Sequence, residues 1–126
     1  MTSSDYQLAP VKLPGISRLS EMVGHIVAPV DATAASPLVL FLHGRHDSCY
    51  TPGEATTPER RTSTTAKAPQ VWSCPTGQEP VPSYLGYDYV QRRLAGQGYV
   101  TVSISADAVN ALDSRTPTVG RRRVLL

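Results

Sequence analysis

Leu38-Val39-Leu40-Phe41-Leu42 is an unbroken run of large apolar side chains that stops abruptly at His43-Gly44-Arg45-His46-Asp47. A continuous run of this length fits a strand of a sheet covered on both faces better than a strand with one wet face, which would alternate. It is the strongest strand in the chain, and the backbone must turn sharply at its end. A glycine one residue past a strand allows that turn and leaves the next peptide N–H groups outside any ladder.

The flanks extend the pattern. "YQLAPVKL" (Tyr6 to Leu13) and "MVGHIVAPV" (Met22 to Val30) carry weaker strand signals, separated by the turn residues Pro14-Gly15. "PSYLGYDYVQRRLAGQG" places Tyr87, Val90 and Leu94 at helical spacing, with Ser83 as a cap, Arg92-Arg93 in the last turns and glycines 96 and 98 beyond them. That spacing predicts a helix over about residues 84–95. In "YVTVSISAD", Val100, Val102 and Ile104 alternate with Thr101, Ser103 and Ser105, the period of a strand. Strand, helix and strand in this order make a βαβ crossover and an α/β class.

Between them lies a segment that cannot contribute to a core. Residues 51–70, "TPGEATTPERRTSTTAKAPQ", hold no aliphatic side chain larger than alanine and read as one long loop. Eleven prolines and nine glycines in 126 residues agree with a loop-rich chain and argue against a helical bundle. A formal charge of +2 is too small to point to nucleic acid or an anionic membrane. Arg121 to Arg123 is the one local basic run and reads as a solvated terminus. No apolar run approaches the roughly 18 residues of a membrane span, and the first residues lack the pattern of a signal peptide. Cys49 and Cys74, at the two mouths of the long loop, suit an oxidising compartment, so the location stays open.

Position dictates the chemistry expected at the end of the strong strand. The C-terminal rim of a parallel sheet gathers loops, and α/β proteins bind their ligands there. Freed N–H groups after Gly44 suit half of an oxyanion hole. With "LVLFLHGRH", "CY", "WSCPTG", "YDYVQRRLAGQGYVTVSISAD" and "NALD", the chain from about Val23 to Asp113 resembles the α/β-hydrolases, in particular secreted lipase and polyester-hydrolase-like esterases. The resemblance makes Leu38 to Leu42 and Val100 to Ile104 the third and fourth strands of a hydrolase sheet. It puts an oxyanion donor on the backbone N–H of Arg45, with His43 and Gly44 shaping the turn. It also implies an ester substrate, no cofactor and acyl transfer to water through a serine nucleophile.

The sequence departs from that family at one decisive place. No G-x-S-x-G elbow occurs in these residues, and "GISRL" at Gly15 lacks the second glycine and precedes the strong strand. Residues 1–126 are therefore expected to form an incomplete α/β-hydrolase domain of about four strands and one main helix, stopping before the elbow and inactive alone. In the family the third strand lies between the fourth and the fifth. Leu38 to Leu42 would then be left as an apolar edge open to self-association.

Other roles for the same residues stand beside this one. His43, His46, Cys49 and Cys74 offer a metal site of His and Cys ligands, the basis of a small metal-binding or interaction module. Alternatively Cys49 and Cys74 pair as a disulfide across the loop. Ser48 or Cys49 beside His46 offers a nucleophile without an elbow. Trp72 and the tyrosines 84, 87 and 89 either cover the sheet or line a groove, and covering is the simpler role.

Overall fold

The structure, a computed structural model, describes residues 1–53 and 71–112. Most of the expected loop at 51–70, and the Arg121 to Arg123 run, lie outside the described residues. Along the chain come β1 (Thr2–Lys12), β2 (Leu19–Ala28), β3 (Leu38–Leu42), β4 (Cys49–Tyr50), β5 (Glu79–Pro80), a 3-10 turn (Ser83–Leu85), α1 (Asp88–Ala95), β6 (Val100–Ile104) and α2 (Asp107–Leu112). Among the described residues the strands form a mixed sheet ordered β1-β2-β6-β3 and a separate two-stranded pair, β4-β5. The class is α/β.

β3 and β6 run parallel, in register from Leu38 opposite Val100 to Leu42 opposite Ile104. The chain reaches β6 through α1, so the two strands and their helix are the expected βαβ unit. β2 lies antiparallel on the other side of β6, with His25 opposite Ser103. The strands predicted at Leu38–Leu42 and Val100–Ile104 fall at the expected residues. β1 and β2 each begin earlier than their apolar signals, because the ladder continues through residues such as Ser4 and Asp5 that carry no strand propensity of their own.

Three local expectations are corrected. The predicted helix of residues 84–95 begins only at Asp88, with Tyr87 at its N-cap and no side-chain capping bond. Ser83 opens the 3-10 turn instead of capping the helix. β3 is not covered on both faces: Leu38 is 57% and Leu40 44% exposed. On the opposite face Phe41 stacks on Tyr87 with ring centroids 5.1 Å apart, so that tyrosine does cover the sheet. Tyr89, on the outer side of α1, does not.

The chain divides into two compact units. The first comprises Met1–Ala9, Met22–His43 and Pro82–Ser105. Its buried interior has an unusual composition. Thr101 and Ser103 of β6 are fully buried, whereas Val100 and Val102, on the alternate phase, are half-buried. Gln91 of α1 satisfies the buried Thr101 hydroxyl. Its Nε2 donates to the His25 carbonyl at 3.1 Å and to Thr101 Oγ1 at 3.2 Å, and that hydroxyl donates to the Val27 carbonyl at 2.8 Å. A buried polar chain of this kind specifies how α1 sits on β2 and β6, because leaving one member unpaired costs about 1–3 kcal/mol.

Two glycines are needed for close approach and for reversal. At Gly24 a Cβ would fall 2.5 Å from the Tyr6 hydroxyl, so β2 accepts the Tyr6 ring only because residue 24 has no side chain. Gly98 has φ 96°, a left-handed conformation that turns the chain from α1 into β6.

The second unit comprises Pro10–Glu21, Gly44–Val81 and the chain from Ala106. Its apolar cluster is small: Leu13, Ile16 and Val109, with Leu112 packed against them. Trp72 is buried nearby in the same unit and donates from Nε1 to the Leu19 carbonyl at 3.2 Å, which agrees with a covering role. The β4-β5 pair sets Cys49 opposite Pro80 and Tyr50 opposite Glu79. A disulfide joins Cys49 to Cys74, with Cα atoms 5.7 Å apart.

Candidate functional site: the turn after the third strand

β3 delivers its chain directly into the turn that the sequence singled out. His43, the first residue past β3, is 3% exposed, and Gly44 and Arg45 are exposed beyond it. The turn is anchored within the second unit. Asn110 Nδ2 donates to the Gly44 carbonyl at 3.0 Å, and Ser48 Oγ donates to the Asp107 carbonyl at 2.7 Å. Both anchors reach α2, a helix not anticipated from the sequence. "DAVNAL" offers too short an apolar pattern to read as helical alone.

The anchor on Gly44 orients the next peptide plane. In a trans peptide the C=O and the following N–H point in opposite directions. Asn110 draws the Gly44 carbonyl toward α2, so the Arg45 N–H points away from α2. No bond joins that N–H to another described residue. The Arg45 N–H is the backbone donor to which the resemblance gives an oxyanion role.

α2 in turn is held by Glu21 from the start of β2. The Glu21 carboxylate accepts from the Asp107 N–H at 2.6 Å and from the Ala108 N–H at 3.1 and 3.3 Å. A carboxylate on the first N–H groups of a helix satisfies donors that have no partner inside the helix and interacts favourably with its dipole. Glu21→Ala is expected to destabilise the protein by about 1–2 kcal/mol, measured as a lower urea midpoint, whereas Glu21→Gln should show only part of that loss because an amide oxygen still accepts. Equal midpoints for wild type and Glu21→Ala would contradict the capping role.

The alternative site assignments are resolved by bonds already made. The metal set of His43, His46, Cys49 and Cys74 is overturned, because Cys49 and Cys74 are joined in the disulfide and offer no thiolate. A nucleophile at Ser48 or Cys49 fails as well. Ser48 is buried with its hydroxyl given to the Asp107 carbonyl, and the Cys49 sulfur is oxidised. His46 donates from Nδ1 to the Asp47 carbonyl at 2.7 Å, which fixes its ring. Among the described residues no helix is long and apolar enough to cross a membrane.

No family model, curated protein or solved structure matches the chain.

Proposed function

We propose that this chain is the front portion of a serine-type carboxylic-ester hydrolase of the α/β-hydrolase kind, carrying the oxyanion turn at His43-Gly44-Arg45 and no nucleophile of its own. The observation that carries the reading is the Asn110 bond to the Gly44 carbonyl, which turns the Arg45 N–H outward at the end of a parallel strand. The strand order gives further support: β6, read as the fourth strand, lies next to β3, read as the third. The disulfide suits maturation in an oxidising compartment.

In this reading Arg45 contributes through its backbone, Gly44 through its lack of a side chain, and His43 as the buried residue that leads into the turn. Asn110 is a positioning residue. The triad serine, acid and histidine would come from residues outside this sequence.

The purified chain is expected to hydrolyse a p-nitrophenyl ester no faster than buffer. The decisive experiment adds the missing part. The gene is read downstream for a frame encoding G-x-S-x-G, and that polypeptide is expressed together with this chain. Hydrolysis sensitive to a serine-directed inhibitor is expected. Arg45→Pro, which removes the N–H, should lower kcat by about a hundredfold, while Arg45→Ala, which keeps it, should not. Turnover by the chain alone, a downstream frame without an elbow, or equal rates for the two Arg45 variants would overturn the proposal.

A further inference from the structure

His25 lies in the first unit, on β2, and is 6% exposed. Each of its ring nitrogens meets a carboxylate from a different element. Nδ1 is bonded to Asp5 of β1, and Nε2 lies 2.8 Å from Asp88 Oδ1 at the start of α1. A neutral imidazole has one N–H and cannot donate to both. With both carboxylates ionised, the bonding pattern requires the imidazolium.

The surrounding groups differ between the two sides. Asp88 also accepts from Arg92 Nε at 2.7 Å through its other oxygen, and the Arg92 and His25 bonds hold its carboxyl below the usual aspartate range. Asp5 sits on the edge strand with its side chain 59% exposed, and no described cation other than His25 bonds it. Its neighbour Tyr6 lies over Gly24, and burial raises its phenol, so that group stays neutral. From β6 the residue opposite His25 is Ser103, which does not titrate. From α1 the neutral Gln91 amide donates to the His25 carbonyl.

We propose that His25 is a proton-operated latch: its imidazolium ties β1 and α1 to β2, and loss of the Nδ1 proton releases β1 at Asp5. The proton passes to solvent, Nε2–H continues to donate to Asp88, and the bare Nδ1 lone pair then faces the Asp5 carboxylate. Asp88 keeps Arg92, so the edge strand is the side that lets go. Burial alone pulls the imidazole pKa down, but the hydrogen bonds and charges of Asp5 and Asp88 outweigh it and leave the value raised. A raised folded-state pKa gives stability that is fully present below the unfolded value, about 6.5, and is lost as pH rises through the folded one. The latch is closed in mildly acidic solution and opens on the alkaline side. This inference is independent of the hydrolase reading.

Two measurements on the full chain test it. Ring nitrogen NMR, assigned by His25→Gln, should show both His25 nitrogens protonated at and above the ordinary imidazole midpoint of about 6.5. Amide hydrogen exchange, corrected for intrinsic pH dependence, should accelerate about tenfold across residues 2–9 as His25 loses its proton, while α1 stays protected. Asp5→Asn should lower the His25 titration and make exchange in residues 2–9 independent of His25 ionisation. A His25 titration at or below the ordinary midpoint, exchange in β1 indifferent to the titration, or release of α1 in place of β1 would overturn the proposal.

Discussion

Replacing both Cys49 and Cys74 by serine is expected to destabilise the protein by on the order of 3 kcal/mol, the largest stability effect of any substitution considered for this chain. The two cysteines are 25 residues apart in sequence, and a cross-link of that span removes much of the freedom of the unfolded chain. The unit that holds the disulfide has little else to replace it. Among the described residues its apolar cluster holds Leu13, Ile16 and Val109 with Leu112, and β4 and β5 pair over two residues each. Measured against the 5–15 kcal/mol typical of a domain, a loss of about 3 kcal/mol is a large fraction. Urea unfolding of the oxidised wild type and the double serine variant reads the difference directly. Amide protection within β3 and β6, which belong to the other unit, should change less than that of residues 44–53. A shift below about 1 kcal/mol would show that the bridge adds little to a unit held by other means.

The second large effect is on association. Among the described residues β3 is the last strand of its sheet, and Leu38 and Leu40 are exposed on one face. Such an edge presents unpaired backbone groups beside apolar side chains, with no charge, proline or bulge in Leu38–Leu42 to oppose pairing. The protein is expected to self-associate through β3 at micromolar concentration. Leu40→Lys should return it to a monomer with little loss of stability, since that side chain is already 44% exposed. Sedimentation velocity of wild type and variant separates the outcomes. A wild type that stays monomeric at high micromolar concentration while unfolding cooperatively would show that the edge is covered.

Legibility from sequence varied with the range of the determining interaction. Leu38–Leu42 and Val100–Ile104 were readable because continuous apolarity and strict alternation are complete within five residues. The end of α1 was readable from Ala95-Gly96 and the reversal at Gly98. Its start was not, because the capping signal of Ser83 competed with a 3-10 turn that ends before Asp88. α2 was missed because its six residues depend on Glu21, which lies 86 positions from Asp107. The pairing of Cys49 with Cys74 had a local cue, two cysteines at the mouths of one loop, which favoured a disulfide over a metal, and the structure has that disulfide.

The sequence by itself determined the βαβ unit, the two strands before it and the glycine turn after the strong strand, all consequences of periodicity and of backbone freedom at single residues. Tertiary structure decided which faces of those elements are dry. Alternation in β6 shows two phases but not which is buried; the Thr101 and Ser103 phase is the inner one, and Gln91, arriving on α1, satisfies the buried Thr101 hydroxyl. Tertiary structure also decided every functional contact: Asn110 on the Gly44 carbonyl, and Asp5 with Asp88 on the two sides of His25. These pairs are separated by 66, 20 and 63 residues. A hydrogen bond needs its donor and acceptor within about 3 Å, and over such separations only the folded chain brings them together.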